Sequence, residues 1–405
     1  MAEVPMPNSC TAIHPSEVRT RMGVLLIFDS HPVQYKAPVY QQLAKLIPGQ
    51  LKVVYATDCS MRGHRDTDFG QVVAWDTPLL DGYGHEVLNN ERGVPLQGFR
   101  SLTGRGIFQM LKKEKPAAVL ISQFLYEADL LAYLACLILR IPIWIRHETQ
   151  DEAFPRSPLK TFLRSLAYRV IYRKVAHAFY IGELNREHLL RHGVEETRLS
   201  FAPYCVDSPI PLMSDEGKAA QRREMREKLG VMSDETLVLF SGKLIEKKDP
   251  GLLLEAFEFL DPAQRKRTKI VYLGSGVLLD ELRKQASPFA DRVVFAGFVN
   301  QREIPGYYLA ADLLVLPSRR MGETWGLVVN EALHAGCGVI VTEAVGCHRE
   351  FGSWERVQAI KVGDAAACAK AIDELARFPR SFDWCAAAME NYSVQAAAAA
   401  IAAEL

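Results

Sequence analysis

The 405-residue chain has no surplus of either charge, since Lys+Arg and Asp+Glu both number 48. A balanced chain does not capture nucleic acid by bulk electrostatics, so no nucleic-acid partner is expected. Its eight cysteines include no Cys-x-x-Cys pair, and no His/Cys cluster has zinc spacing. That excludes a zinc site read from spacing and fits reduced, semi-buried thiols in a cytoplasmic protein. A secretory signal is also missing. Residues 1–20 are polar, contain prolines and lack an apolar core, so they read as a flexible tail. Nor is there a long apolar run. The most hydrophobic stretch, "LLAYLACLILRIPIWI" at 130–145, is broken by Arg140 and Pro142. It reads as a buried helix followed by a buried strand rather than a membrane span.

What is present is the composition of a soluble globular protein, 49% hydrophobic and 24% charged, with length for about two domains. Short apolar runs alternate with helical patterns, from "GVLLIF" through "LKVVYAT", "AAVLIS" and "PIWIRH". The pattern stumbles near 205–235, at prolines and a charged helix, then restarts with "TLVLFSG", "TKIVYLGSG", "RVVFAGFV", "DLLVLPS" and "GVIVTEA". Strands alternating with helices imply βαβ units and parallel sheets. The expected fold class is α/β, two doubly wound Rossmann-like domains facing across a cleft. Ligands in such sheets bind beyond the carboxyl ends of the strands, so the residues just after each strand carry the functional signal.

Three groups follow strands in the second half: Gly242, Lys243 and Lys248 in "SGKLIEKKDP"; Gly274 to Gly276 in "LGSG"; and "GETWGLVVNEALHAG" at 322–336. Two lysines can neutralise a pyrophosphate, and Gly326 opens a helix whose unpaired amides favour an anion. Glu331, one turn into that helix, can reach the vicinal hydroxyls of a ribose. Glu323, on the preceding loop, can reach hydroxyls of a sugar on the second phosphate. Two carboxylates repel phosphate but accept hydroxyl donors, so the set suits a nucleoside diphosphate carrying a sugar. Singly, each feature also reads as a turn, a surface charge or a paired-carboxylate hydrolase. In the first half, His31, Gln34 and Tyr35 offer hydrogen bonds to an acceptor; the other reading is a structural turn at Pro32. His147 follows a strand and faces the cleft, unless Arg146 or Glu148 does so instead.

These stretches, with "VYLGSGVLLDEL" and "VVFAGFVNQREIPGYYLAADLLVLPS", resemble the retaining glycosyltransferases of the GT-B fold, family 4 type (glycosyl transferases group 1). The likeness is strong over 235–350 and weak over most of 20–400. The Glu–seven–Glu signature falls on Glu323 and Glu331. The resemblance implies an acceptor-binding domain at 21–205, a nucleotide-sugar-binding domain at 206–384 and a helix at 385–405 crossing back to the first. It implies donor sugar at His147 and Glu323, diphosphate at Lys243 and Lys248, and ribose at Glu331. Gly242, Gly274, Gly276, Thr324, Trp325, Gly326 and Leu327 complete the donor site, with the base on the main chain of Phe298 and Val299.

The implied reaction is a hexosyltransferase-like transfer of a sugar, with retention, from a UDP- or GDP-sugar to a glycan, lipid-linked or other small acceptor. Polysaccharide or glycoconjugate biosynthesis is the expected setting. No metal and no tightly bound cofactor are expected, as no Asp-x-Asp signature is assigned to a strand end. A nucleotide-sugar epimerase or a phosphorylase on this fold, a non-catalytic nucleotide-sugar-binding partner of another transferase, and a membrane-surface scaffold are the alternatives. The segment 157–182 reads as one basic amphipathic helix. It either contacts the inner membrane face peripherally or covers the sheet with its apolar side.

Overall fold

The structure, a computed structural model, describes residues 23–62, 64–66, 71–73 and 78–405. The expected tail at 1–20 lies outside the described residues. Leu25 to Phe28 show no alternation of polar and apolar side chains, the pattern of a strand covered on both faces. They form β1 (Leu25–Asp29), buried throughout. β2 (Leu51–Tyr55) follows, then β3 (His64–Asp66) and β4 (Gln71–Val73), a separate antiparallel pair. Next come β5 (Gly84–Val87), β6 (Ala118–Ile121), β7 (Ile143–Ile145), β8 (Val175–Tyr180) and β9 (Leu199–Phe201). The first sheet has the order β5-β2-β1-β6-β7-β8-β9, and every pairing in it is parallel.

The second half repeats the scheme with β10 (Thr236–Ser241), β11 (Thr268–Leu273), β12 (Val293–Gly297), β13 (Leu313–Leu316), β14 (Gly338–Thr342) and β15 (Val357–Ile360). Their order is β12-β11-β10-β13-β14-β15, again all parallel. In each sheet the winding reverses beside the first strand, between β1 and β6 and between β10 and β13. The loops leaving these strands diverge and open a crevice.

The charged helix Asp215–Lys228 is fastened to the second half. Arg222 and Arg226 both hold Asp312, at 2.5 and 3.0 Å. The C-terminal helix Val394–Ala402 starts at Ser393, whose side chain accepts from the Ala396 amide. Its Val394, Ala397, Ala398 and Ile401 recur on one face and join the core of Val39, Tyr40 and Leu43 in the helix Ala37–Leu46. The chain therefore ends on its first half.

Two elements differ from the sequence reading. The segment 157–182 is not one helix: the helix Pro158–Tyr172 stops and β8 follows, buried between β7 and β9. The basic run Arg173-Lys174 masks a mostly buried strand that only its sheet neighbours specify. The stretch 130–145 does give a helix, Glu127–Leu139, ended by left-handed Arg140, and then buried β7. That helix buries one face only; Leu130, Leu134 and Ile138 on the other are exposed. One Asp-x-Asp does occur, Asp66 to Asp68. Asp66 closes β3, and Asp68 lies outside the described residues. Among the described residues no helix is long and apolar enough to cross a membrane.

Candidate active site

The crevices of the two sheets face one another and enclose a cleft of about 420 Å³. The first half contributes Gln34 and Tyr35 after β1, and Val206 and Asp207 beyond β9. The second half contributes Ser241 and Gly242 after β10, Gly274 after β11, Phe298 to Gln301 after β12, and Leu327, Val328 and Glu331 beyond β13. Gln301 Nε2 donates to Gln34 Oε1 across the cleft at 2.9 Å. Tyr35 stacks edge-on against Tyr204, with ring centroids 5.5 Å apart. His31, by contrast, pairs its Nδ1 with Ser30 Oγ at 2.8 Å.

The glycine loops set the floor. A Cβ on Gly274 would lie 2.0 Å from Gly242 O, and one on Gly276 2.4 Å from Leu244 O. Backbone therefore packs directly on backbone, which a side chain forbids. Gly274 reaches the cleft, whereas Gly276 serves this packing against Leu244 rather than the cleft wall.

The two glutamates sit in opposite electrostatic settings. Glu331 lies on the short helix Val328–His334, and Tyr308 Oη donates to its Oε2 at 2.6 Å. Ser241 Oγ is 2.9 Å from the same Tyr308 oxygen. Burial raises the Glu331 carboxyl to about 7, and the hydrogen bond from Tyr308 offsets this only in part. Glu323 is also buried, which alone would raise it. Lys248 Nζ at 2.7 Å and Lys247 Nζ at 3.8 Å prevail and hold it below the usual carboxylate range. Ser318 Oγ adds a longer contact at 3.4 Å. Lys247 also donates to Gly322 O at 2.8 Å, and burial lowers its ammonium. Arg319 grips both oxygens of Asp249, at 2.8 and 3.0 Å, and so ties the loop after β13 to the loop after β10.

The first-half residues after β7 divide differently from the expectation. His147 is buried with both ring nitrogens engaged. The Thr149 amide donates to Nδ1, so Nε2 carries the proton and faces Tyr172 Oη at 3.0 Å. Tyr172 in turn meets His188 Nε2 at 3.0 Å, and His188 Nδ1 meets Asp151 at 2.9 Å. Burial, with His188 nearby, pushes the His147 imidazole down to about 3, so it is neutral. It braces the strand end instead of facing the cleft. Arg146 turns to the carbonyls of Ala202 and Pro203. Glu148 is the residue that crosses: it accepts a hydrogen bond from Thr324 Oγ1.

Trp325 departs from its expected place too. Its indole is buried, donates to Asn330 Oδ1 at 2.8 Å, and packs against Tyr204 and Phe351. A Cβ on Gly182 would lie 2.3 Å from its ring. Trp325 is a wedge between the halves, and only its backbone borders the glycine turn at Gly326. That turn requires glycine, with φ 100 and a Cβ position 2.7 Å from Val345 Cγ1.

Sequence reasoning passed over Lys247, Ser241 and Tyr308. Lys247 adjoins Lys248 and was legible as part of one basic run. Tyr308 reaches Glu331 because the helix Ile304–Ala310 before β13 lies beside the helix that follows it, which no local spacing reveals.

Residues 221–383 match the family model for glycosyl transferases group 1. A D-inositol 3-phosphate glycosyltransferase of Xylanimonas cellulosilytica is 33% identical over 174 residues, covering 41% of this chain and 37% of that protein. An alpha-monoglucosyldiacylglycerol synthase of Streptococcus pneumoniae is 26% identical over 257 residues, covering 61% and 57%. The matches thus span about a third to just over half of these relatives. The structure of HepE from Anabaena in complex with UDP superimposes with a TM-score of 0.69 at 18% identity, covering 94% of this chain and 99% of that one. Residues 221–383 are accordingly a glycosyl transferases group 1 domain, and the chain around them has the GT-B fold.

Proposed function

We propose that the protein is a retaining glycosyltransferase that moves a sugar from a nucleotide diphosphate sugar to a glycan, lipid-linked or other small acceptor. The observation that carries this reading is the pairing of a Lys248-held Glu323 with a Tyr308-held Glu331 on either side of the turn at Gly326. One carboxylate stays ionised beside cations, and the other takes hydroxyl donors from the cleft. The UDP bound by the HepE structure favours uracil as the base, with guanine the alternative.

In this reading Glu331 accepts the ribose hydroxyls, and main chain at Phe298 and Val299 meets the base. Gly242, Lys243, Lys248 and the amides of Gly326 and Leu327 face the diphosphate, with Thr324 beside them. Glu323 orients the donor sugar. Gln34, Tyr35 and His31 flank the acceptor side, and Glu148 stands nearer the sugar than His147. The bond from the anomeric carbon to the diphosphate breaks as the acceptor oxygen bonds to that carbon on the same face. The acceptor proton passes to the leaving phosphate. Lysine charge and preorganised amides stabilise the leaving group without a metal. The setting proposed is polysaccharide or glycoconjugate biosynthesis, in the cytoplasm at the inner membrane face.

The test is release of nucleoside diphosphate from a donor panel with and without acceptors. Release should require an acceptor, and the product should keep the donor's anomeric configuration. Conversion of the donor to its epimer without acceptor would contradict the proposal, as would an inverted product.

A further inference from the structure

The loop after β13 is held from the first half as well as from its own sheet. Its Gly322 amide donates to Ala153 O at 2.8 Å, and Thr324 Oγ1 donates to Glu148 Oε2 at 2.5 Å. A Cβ on Gly322 would lie 2.3 Å from Phe154 Cζ, so the Phe154 ring rests on bare backbone there. Glu323 stands between these contacts in the chain, and its own carboxylate goes to Lys248 and Lys247 of the second half. The loop also has second-half anchors: the Gly346 amide donates to Glu323 O at 3.1 Å and the Cys347 amide to Trp325 O at 3.0 Å. Those bonds set the path of the chain within its own half. The bonds to Glu148 and Ala153 set where that path lies relative to the first half.

The first-half partner is itself braced on both sides of Glu148. Before it, His147 is tied to Tyr172 at 3.0 Å and accepts from the Thr149 amide at 3.3 Å. After it, Asn185 Nδ2 donates to Thr149 O at 2.7 Å, and the Glu152 amide donates to Gln150 Oε1 at 2.6 Å. Asp151 is clasped by Arg164, Arg191 and His188, at 2.5, 2.8 and 2.9 Å. The buried relay from His147 to Asp151 thereby serves the cleft without lining it, because it fixes the segment from which Glu148 reaches Thr324.

We propose that Glu148 and Thr324 are positioning residues for the transfer: their hydrogen bond lets the first half set the place of Glu323 at the donor sugar. The inference rests on the donor-site reading above and adds to it a pair that acts through a third residue. In that reading the nucleotide is met elsewhere, at Glu331, Phe298 and Val299. Loss of the bridge therefore bears on the rate of transfer and not on nucleotide affinity.

The experiment measures nucleoside diphosphate release from the donor panel above, with acceptor, and affinity for UDP and GDP, using variants of the full chain. Thr324→Val keeps the side-chain shape and loses the donor hydroxyl. Its kcat should fall about 10- to 100-fold, with nucleotide affinity within about twofold of the unaltered protein. Thr324→Ser restores the hydroxyl and should recover most of the rate. Glu148→Gln keeps an acceptor for Thr324 and should stay within about threefold in kcat, whereas Glu148→Ala should match Thr324→Val. The double Glu148→Ala/Thr324→Val should lose no more than either single. Thermal midpoints should stay near that of the unaltered protein, because the bonds from Gly346 and Cys347 remain. Thr324→Val at full rate, additive losses in the double, or Glu148→Gln as slow as Glu148→Ala would overturn the inference. The last result would mean that the Glu148 charge acts on the substrate itself. Failure of the unaltered protein to bind UDP or GDP would instead sink the donor-site reading, and this inference with it.

Discussion

Lys248→Ala should cost about 3 kcal/mol of stability and at least about 100-fold in transfer rate. The stability loss comes from Glu323. Both side chains of the pair are largely shielded from water, and their contact is 2.7 Å. Removing the lysine leaves a buried carboxylate whose next cation, Lys247, stands 3.8 Å away and also serves Gly322 O. The low end of the range for broken buried pairs is expected because Lys247 compensates in part. The pH dependence has a definite sign. The Glu323 carboxyl is lowered from 4.5 in the folded state, so its stabilising contribution is present above 4.5 and is lost as pH falls through the lower folded value. The deficit of the variant should therefore be full at neutral pH and shrink in acid. Lys248→Met combined with Glu323→Gln should recover most of the stability and none of the activity. Chemical denaturation and initial rates of Lys248→Met, Glu323→Gln and their double form the cycle that checks this. Additive stability losses would show that the two residues do not act as a pair.

Glu331→Gln should stabilise the ligand-free protein above neutral pH while removing donor binding. The carboxyl is raised from 4.5 to about 7, so its contribution to stability is fully present below 4.5 and lost as pH rises through about 7. Ionising it costs the native state, and glutamine does not ionise. Tyr308 Oη keeps an acceptor, so the fold loses no hydrogen bond. Donor affinity runs the other way. A carboxylate that accepts two ribose hydroxyls must be ionised, so binding by the unaltered protein should tighten between about pH 6 and pH 8. Thermal midpoints with and without UDP across that range check both halves. A variant that is less stable at high pH, or that still binds UDP, would contradict the account. The underlying trade is familiar: a site held ready for a ligand costs the empty protein some stability.

Most strands of both sheets were legible as short apolar runs bounded by polar or glycine residues, as in Leu25 to Phe28 or Leu313 to Leu316, whereas β5, β9 and β15 were not. The cleft's position followed from where those runs end, and the residues at Gly242, Gly274, Phe298 and Glu331 do line it. Side-chain direction was not legible. Trp325 and His147 each follow a strand, yet one wedges the halves apart and the other closes a relay to Asp151. Both outcomes depend on partners more than 20 positions away, Tyr204 for Trp325 and Tyr172 for His147. The strand β8 was hidden for a related reason. Its register comes from β7 and β9, while its own basic lead-in continues a helical pattern.

The central claim is that the cleft holds a nucleotide diphosphate sugar through Glu331 and the Lys248–Glu323 pair. It is tested most directly by thermal shifts of the unaltered protein and of Glu331→Gln with UDP-, GDP-, ADP- and dTDP-sugars. One donor at about 100 times its Kd should stabilise the unaltered protein by about 2.7 kcal/mol, and Glu331→Gln should lose that shift. No shift with any donor, or the same shift in both proteins, would contradict it.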